Sequence, residues 1–327
     1  MSSQTEVAEK RYIDAITEGI GDAMAEDETV VLIGIDVGVG GGIFTATKGL
    51  HGKFPDRIHD TPISEMGFVG AAVGAAMTGL KPIVEIMFMD FIGVCLDPIM
   101  NQAAKLRYMT SGGLTIPVVF RTQTGAGRGA AAQHSQSLEA MLAHIPGLKV
   151  VLPATARDAY DLMRDAVSDP NPVVYVENRR LYGRRGSFDP ADSLPLGKAR
   201  IAREGDDVTV VTWGQTLRDC LAAAESSSAS LEVIDLRSLV PLDMDTVFGS
   251  VHKTGRLLVV HEAVQDFGAG AEVGLRVASA MFDQLLAPVQ RLGAAAVPLP
   301  YNPALESLLL PGPDDIANAA QALLSEG

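Results

Sequence analysis

The stretch Thr61-Pro62-Ile63-Ser64-Glu65, running into the uncharged segment MGFVGAAVGAAMTGL at 66–80, decides how the rest of the chain is read. Pro62 holds the residue before it in extended geometry, Ser64 stands where a helix N-cap is expected, and the Gly/Ala run reads as a helix. Glu65 then falls in the first turn. Gly67, Ala71, Ala75 and Gly79 recur four apart on one face, with Gly70, Gly74 and Thr78 beside them, so another backbone can approach closely. The segment is shorter than the roughly 20 apolar residues a bilayer needs, which removes a membrane span. Two readings stay open from the run itself. One is a tightly packed helix whose glutamate complements the helix dipole. The other is a carboxyl group in an apolar, close-packed setting, able to hold or exchange a proton.

Outward from this helix the apolar pattern alternates between short buried runs and helical periods. Strands are expected at 29–35, 82–91 (with Phe91 at its far end), 116–121, 148–152 and 173–177, and helices at 12–24, 97–109 and 158–167. Such alternation predicts a parallel sheet covered on both faces. Residues 182–200 carry Gly and Pro without a sustained period and read as a linker. A second series follows, with strands at 208–213, 231–236 and 257–261 and helices at 217–224 and 272–285. The fold class is therefore α/β with two three-layer α/β/α domains, at 1–185 and 200–327, joined by a linker at 186–199. Two glycine clusters invite nucleotide-binding readings and fail them. Residues 38–42 cannot be written as GxxxxGK[ST], because Thr47 precedes Lys48. Gly268-Ala269-Gly270 lacks the third glycine of a dinucleotide fingerprint and reads as close packing.

A chain of 327 residues, 47% hydrophobic, can bury two cores. Its net charge of -14 argues against a nucleic-acid or anionic-membrane partner, both of which need clustered Lys and Arg. Cys95 and Cys220 are the only cysteines and belong to no CxxC pair, so neither a disulfide framework nor a cysteine metal site is expected. The N-terminal MSSQTEVAEKRYID is polar and carries acidic residues, unlike a secretory or transit segment, and the expected compartment is cytoplasmic.

The segments DTPISEMGFVGAAVGAAMTG, MDF ending at Phe91, NQAAKLRYM, AQHSQSLEA with HIPGLKVV, and DLRSLVPLD together resemble the β subunit of the thiamine-diphosphate-dependent E1 component of 2-oxo-acid dehydrogenase complexes. The resemblance spans nearly the whole chain, and the pyruvate and acetoin types look nearest. It implies a transketolase-like pyrimidine-binding domain followed by a transketolase C-terminal-like domain. It also implies that Glu65 hydrogen-bonds the aminopyrimidine nitrogen N1′ of thiamine diphosphate, where a protonated carboxyl favours the tautomer able to take a proton from the thiazolium carbon. Phe91 is expected to stack on the pyrimidine and Ile63 to lie beside it. His134, in the Gln133-His134-Ser135-Gln136 loop, is expected to guide the substrate carboxylate or donate a proton. The family often holds a structural potassium ion through backbone oxygens, for which the matching positions are Val118, Ala166, Val167, Asp169 and Asn171. Asp169 and Asn171 suit an ordinary turn equally well.

One absence weighs as much as these matches. Enzymes of this kind bind magnesium and the diphosphate through a GDG motif, and the chain has none. It is then half of an active site, completed by an E1 α subunit in an α2β2 heterotetramer that passes an acyl group to a lipoyl-bearing E2 acyltransferase. Two departures stand out: Ile35 occupies the place before Asp36-Val37-Gly38 where relatives carry an acidic residue, and Pro98 replaces the glutamine of Asp-Gln-Ile, with only a local adjustment expected. A branched-chain E1 β subunit, a split transketolase-like ketol transferase subunit and a non-catalytic scaffold are the alternative readings. Joint retention of Glu65, Phe91 and His134 argues against the scaffold. The choice between 2-oxo acids and acetoin turns on a methylene or a carbonyl, and one methylene is worth only about 1 to 3 kcal/mol.

Overall fold

Val30–Gly34, Lys81–Ile86, Val119–Thr124 and Val173–Asn178 are almost wholly buried, which suits strands covered on both faces. The computed structural model describes residues 8–325, so the first seven residues of the polar N-terminal stretch lie outside it. Contacts divide the chain into two compact units. One comprises the chain up to Gln123 together with Ile145–Leu196; the other comprises Thr124–His144 and the chain from Gly197 onward. The loop 124–144, inside 1–185 by the sequence reading, thus packs as part of the second unit. Among the described residues, no helix is long and apolar enough to cross a membrane.

In the first unit the strands lie in the order Lys149–Val151, Val173–Asn178, Val119–Thr124, Lys81–Ile86, Val30–Gly34, Ile58–Asp60. The last four of these run parallel. Helices Tyr12–Glu26 and Ala156–Ser168 pack on each other, and their apolar stripes, including Ile16, Ile20, Leu162 and Met163, enter the core. The second unit orders Gln290–Ala294, Leu257–Val264, Val208–Thr212, Leu231–Asp235 and Arg200–Arg203, all parallel except the last, which is antiparallel. The crossover through Thr216–Ser226 and the crossover through Met244–Thr254 travel across this sheet in opposite directions. Right-handed connections therefore put the two helices on opposite faces. This gives the two-domain α/β fold with mixed, mainly parallel sheets.

Several local expectations are corrected. The expected strand at 82–91 ends at Ile86, and Phe91 sits in a 3-10 turn, Met89–Val94. Ser64 occupies the N-cap of Glu65–Met77, but its side chain makes no capping hydrogen bond. The helix buries Phe68, Val69, Ala72, Val73 and Ala76, so the small-residue face at Gly67, Ala71 and Gly74 points outward. A Cβ added at Gly70 or Gly74 would meet nothing within 4 Å. The stretch read as a linker contains a strand, Arg185–Ser187, paired antiparallel with Glu9–Arg11. Pro98 opens a π-helical turn, Pro98–Ala103, which continues into Ala104–Met109. Helix Met244–Thr254 and strand Gln290–Ala294 were not expected.

Candidate active site

Parallel strands bring their carboxyl ends to one edge of a sheet, where α/β proteins bind ligands. The segment leaving Ile58–Asp60 carries Ile63 and Glu65; the segment leaving Lys81–Ile86 carries Phe91; the segment leaving Val119–Thr124 carries His134. Glu65 is the first residue of its helix and is buried. Burial, reinforced by the Glu65 charge, pushes the Cys95 thiol up to about 12. Ile63 is exposed. Phe91 is half-buried at the end of an edge-to-face series, Phe44 to Phe88 at 5.3 Å and Phe88 to Phe91 at 5.7 Å between ring centres. The helix of Glu65 packs against the turn of Phe91. A buried carboxyl, a half-buried ring and an exposed aliphatic side chain on neighbouring segments fit a flat nitrogen heterocycle, offering an acid for a ring nitrogen and an apolar face for stacking.

Behind this edge, Arg121 is fully buried between Glu85, its directly opposed partner on the adjacent strand, and Glu177. Tyr182 Oη also donates to Glu177. Burial pushes the Glu177 carboxyl up, and the Arg121 charge opposes it. The glycine loop at 38–42 closes onto this group: Gly42 has φ +79°, and a Cβ there would lie 3.1 Å from Glu85 Oε1. That contact and the positive φ account for the glycine at 42. Ile35, at the departure noted above, is buried.

In the second unit, Thr124 Oγ1 donates to the Gln136 carbonyl and lies within hydrogen-bond reach of Ser137 Oγ, both at 3.1 Å, closing the base of the loop that carries His134. The Ala126 N–H donates to Glu262 at 2.6 Å and the Gly129 N–H to Glu306 at 2.8 Å. Past His134, the Trp213 indole N–H donates to Glu139 at 3.1 Å. Glu139 is fully buried, and burial raises its carboxyl. Trp213 stacks on His261 at 5.1 Å, and burial lowers that imidazole to about 4.

Of the five positions matched to a cation, Ala166 and Val167 close the helix Ala156–Ser168, Asp169 and Asn171 follow it, and Val118 precedes the strand Val119–Thr124. The Val173 N–H donates to the Val118 carbonyl at 3.0 Å, the Asp169 N–H to the Ala166 carbonyl at 3.3 Å, and the Asn171 N–H to the Asp169 carboxylate at 2.9 Å. Lys149 also pairs with Asp169. Val167 is buried beside them.

Residues 8–185 match the family model for the transketolase pyrimidine binding domain, and residues 197–316 match that for the transketolase C-terminal domain. The chain is 44% identical to the β subunit of acetoin:2,6-dichlorophenolindophenol oxidoreductase of Cupriavidus necator, over 96% of this chain and 97% of that protein. It is also 44% identical to the mitochondrial pyruvate dehydrogenase E1 component subunit beta-2 of Oryza sativa subsp. japonica, over 94% of this chain and 84% of that one. The chain belongs to the family of transketolase-like E1 β subunits. A solved structure described as a split gene transketolase in an inactive β4 tetramer shares the E1 β fold with a TM-score of 0.79 at 23% identity, covering 96% of this chain and 98% of that one. Within this E1 β chain, sequence reasoning missed Glu85, Arg121, Glu177, Glu262 and Glu306. Glu85 and Arg121 each interrupt an apolar strand with a charge, a signal that could have found them. Glu306 carries none.

Proposed function

We propose that the chain is the β subunit of the E1 component of a 2-oxo-acid dehydrogenase complex of the pyruvate or acetoin type, working with an α subunit in an α2β2 assembly. The observation that carries this reading is a buried Glu65 carboxyl at a helix mouth, on a segment packed against the half-buried Phe91. Thiamine diphosphate, when bound, supplies the electron sink for cleaving the bond next to a carbonyl. Glu65 would hold a proton at the pyrimidine nitrogen N1′, Phe91 would stack on the ring, and Ile63 would cover its edge. Burial of Glu65, in a helix that also buries Phe68, Val69 and Ala72, would limit the access of water to its carboxyl. His134 would orient the substrate carboxylate or donate a proton before the acyl group passes to lipoyl-lysine on E2. The α subunit would supply the magnesium and diphosphate ligands, and the turn at 166–171 would hold potassium. The compartment we assign is the cytoplasm. Relatives named for acetoin and for pyruvate are equally similar, so the substrate is decided by assay.

The test is Glu65→Gln in the complex reconstituted with the α subunit, thiamine diphosphate and magnesium. Acylation of a lipoyl domain is followed with pyruvate, acetoin and branched 2-oxo acids in parallel. Turnover should fall by at least roughly 100-fold, as expected on losing a positioned proton donor, while the assembly keeps its mass. Undiminished turnover would remove Glu65 from the chemistry.

A further inference from the structure

The loop at 125–132 is built from residues that hold no shape of their own. Gly125, Gly127 and Gly129 have φ of +112°, +82° and +62°, and alanines fill most of the remainder. A glycine-rich segment loses more conformational freedom on ordering than any other, so something outside the loop must fix it. Two carboxylates from distant parts of the second unit do so. Glu262, on strand Leu257–Val264, accepts from the Ala126 N–H, and Glu306, in the short helix Pro303–Ser307, accepts from the Gly129 N–H. Glu306 is fully buried, with its other oxygen lacking a hydrogen-bond partner, so its carboxylate is committed to this one amide. Asn302 caps the Glu306 helix by accepting from the Ala304 N–H at 2.9 Å. The seat is tight: a Cβ at Gly129 would lie 2.8 Å from the Tyr301 carbonyl oxygen. Beyond His134 the chain is tied again, by Glu139 to Trp213.

We infer that Glu306 and Glu262 are positioning residues for His134, holding the two turns of loop before it through charge-assisted bonds to backbone amides. Burying a carboxyl group is costly, and what each glutamate secures through its bond to a backbone amide is the path of the loop. A reacting group displaced by about 1 Å can lose on the order of 100-fold in rate, so anchoring of this kind bears directly on turnover. The inference rests on the role given to His134 above.

The test uses the reconstituted complex. Glu306→Ala should lower kcat for lipoyl-domain acylation by roughly 10-fold or more, and Glu306→Gln, whose amide oxygen can still accept from Gly129, should restore most of it. The double variant His134→Ala/Glu306→Ala should be no slower than His134→Ala alone, because Glu306 acts only through the histidine. Glu262→Ala, at a less deeply buried position and therefore safer for folding, should show the same non-additivity with His134→Ala. Amide hydrogen exchange should quicken across 125–137 in Glu306→Ala and stay unchanged in helix Pro313–Ser325. Losses that multiply in the double variant, or unaltered exchange at 125–137, would overturn the inference. A His134→Ala complex with normal turnover would instead remove His134 from the chemistry, and the exchange measurement would then decide the anchoring alone.

Discussion

A carboxylate or an imidazole takes its properties from where the chain puts it, and in this protein burial is the first cause at most of the perturbed groups. His261 shows what that does to stability. Its imidazole lies between the Trp213 ring and the close approaches of Gly268 and Gly270, with Nδ1 3.0 Å from the Ala263 carbonyl. Burial lowers it to about 4 from an ordinary value of 6.5. Between those values the unfolded chain binds the extra proton and the folded chain does not. Stability therefore rises with pH across that window: the contribution is complete above 6.5 and is lost as pH falls toward 4. The full loss is about 3 kcal/mol. Urea unfolding of the isolated chain at pH 7 and pH 5 should show a larger drop for the parent than for His261→Asn, which keeps a donor toward Ala263. Equal drops would show that His261 is not the group being titrated. Glu65 and Glu306 were equally ordinary as letters in the sequence. Only Glu65 had a readable setting, because its Gly/Ala helix is local.

At the scale of elements, the same residue type has opposite consequences in two places. Gly74 lies on the outward face of Glu65–Met77 with open space where a side chain would go, whereas a Cβ at Gly147, where φ is +104°, would fall 1.9 Å from the Ala104 carbonyl oxygen. Gly74→Ala should stabilise the isolated chain by about 1 kcal/mol, the helix-propensity difference. Gly147→Ala should cost about 3 kcal/mol through strain and overlap together. Thermal unfolding of the two variants should move Tm in opposite directions, and a shift of the same sign would contradict the geometry. The small-residue pattern of this helix was legible from spacing alone. Which face would be covered was not, since Phe68, Val69, Ala72 and Val73 compete with the glycines for the core and win by apolar area.

For the whole molecule, the proposal to test is a site divided with an α subunit. The sequence has no GDG motif, and among the described residues no three His, Cys, Asp or Glu side chains group as a metal site. The isolated chain with thiamine diphosphate should therefore show no stoichiometric magnesium binding by calorimetry. The complex with an α subunit should bind it, and EDTA should abolish turnover there. Stoichiometric binding to the isolated chain would refute a divided site.

By itself the sequence determined the alternation of strands and helices and the two α/β domains, which follow from the period of apolar residues, while its resemblance to a known family singled out Glu65 and Phe91. Only the tertiary structure decided that the His134 loop packs with the second unit, that Arg121 is shared by Glu85 and Glu177, and that Glu262 and Glu306 hold the loop from 136 and 177 residues away. Periodicity reports on a few turns of chain. A hydrogen bond across such separations depends on the order of strands in a sheet and on where a short helix ends, and neither leaves a mark on the residues nearby.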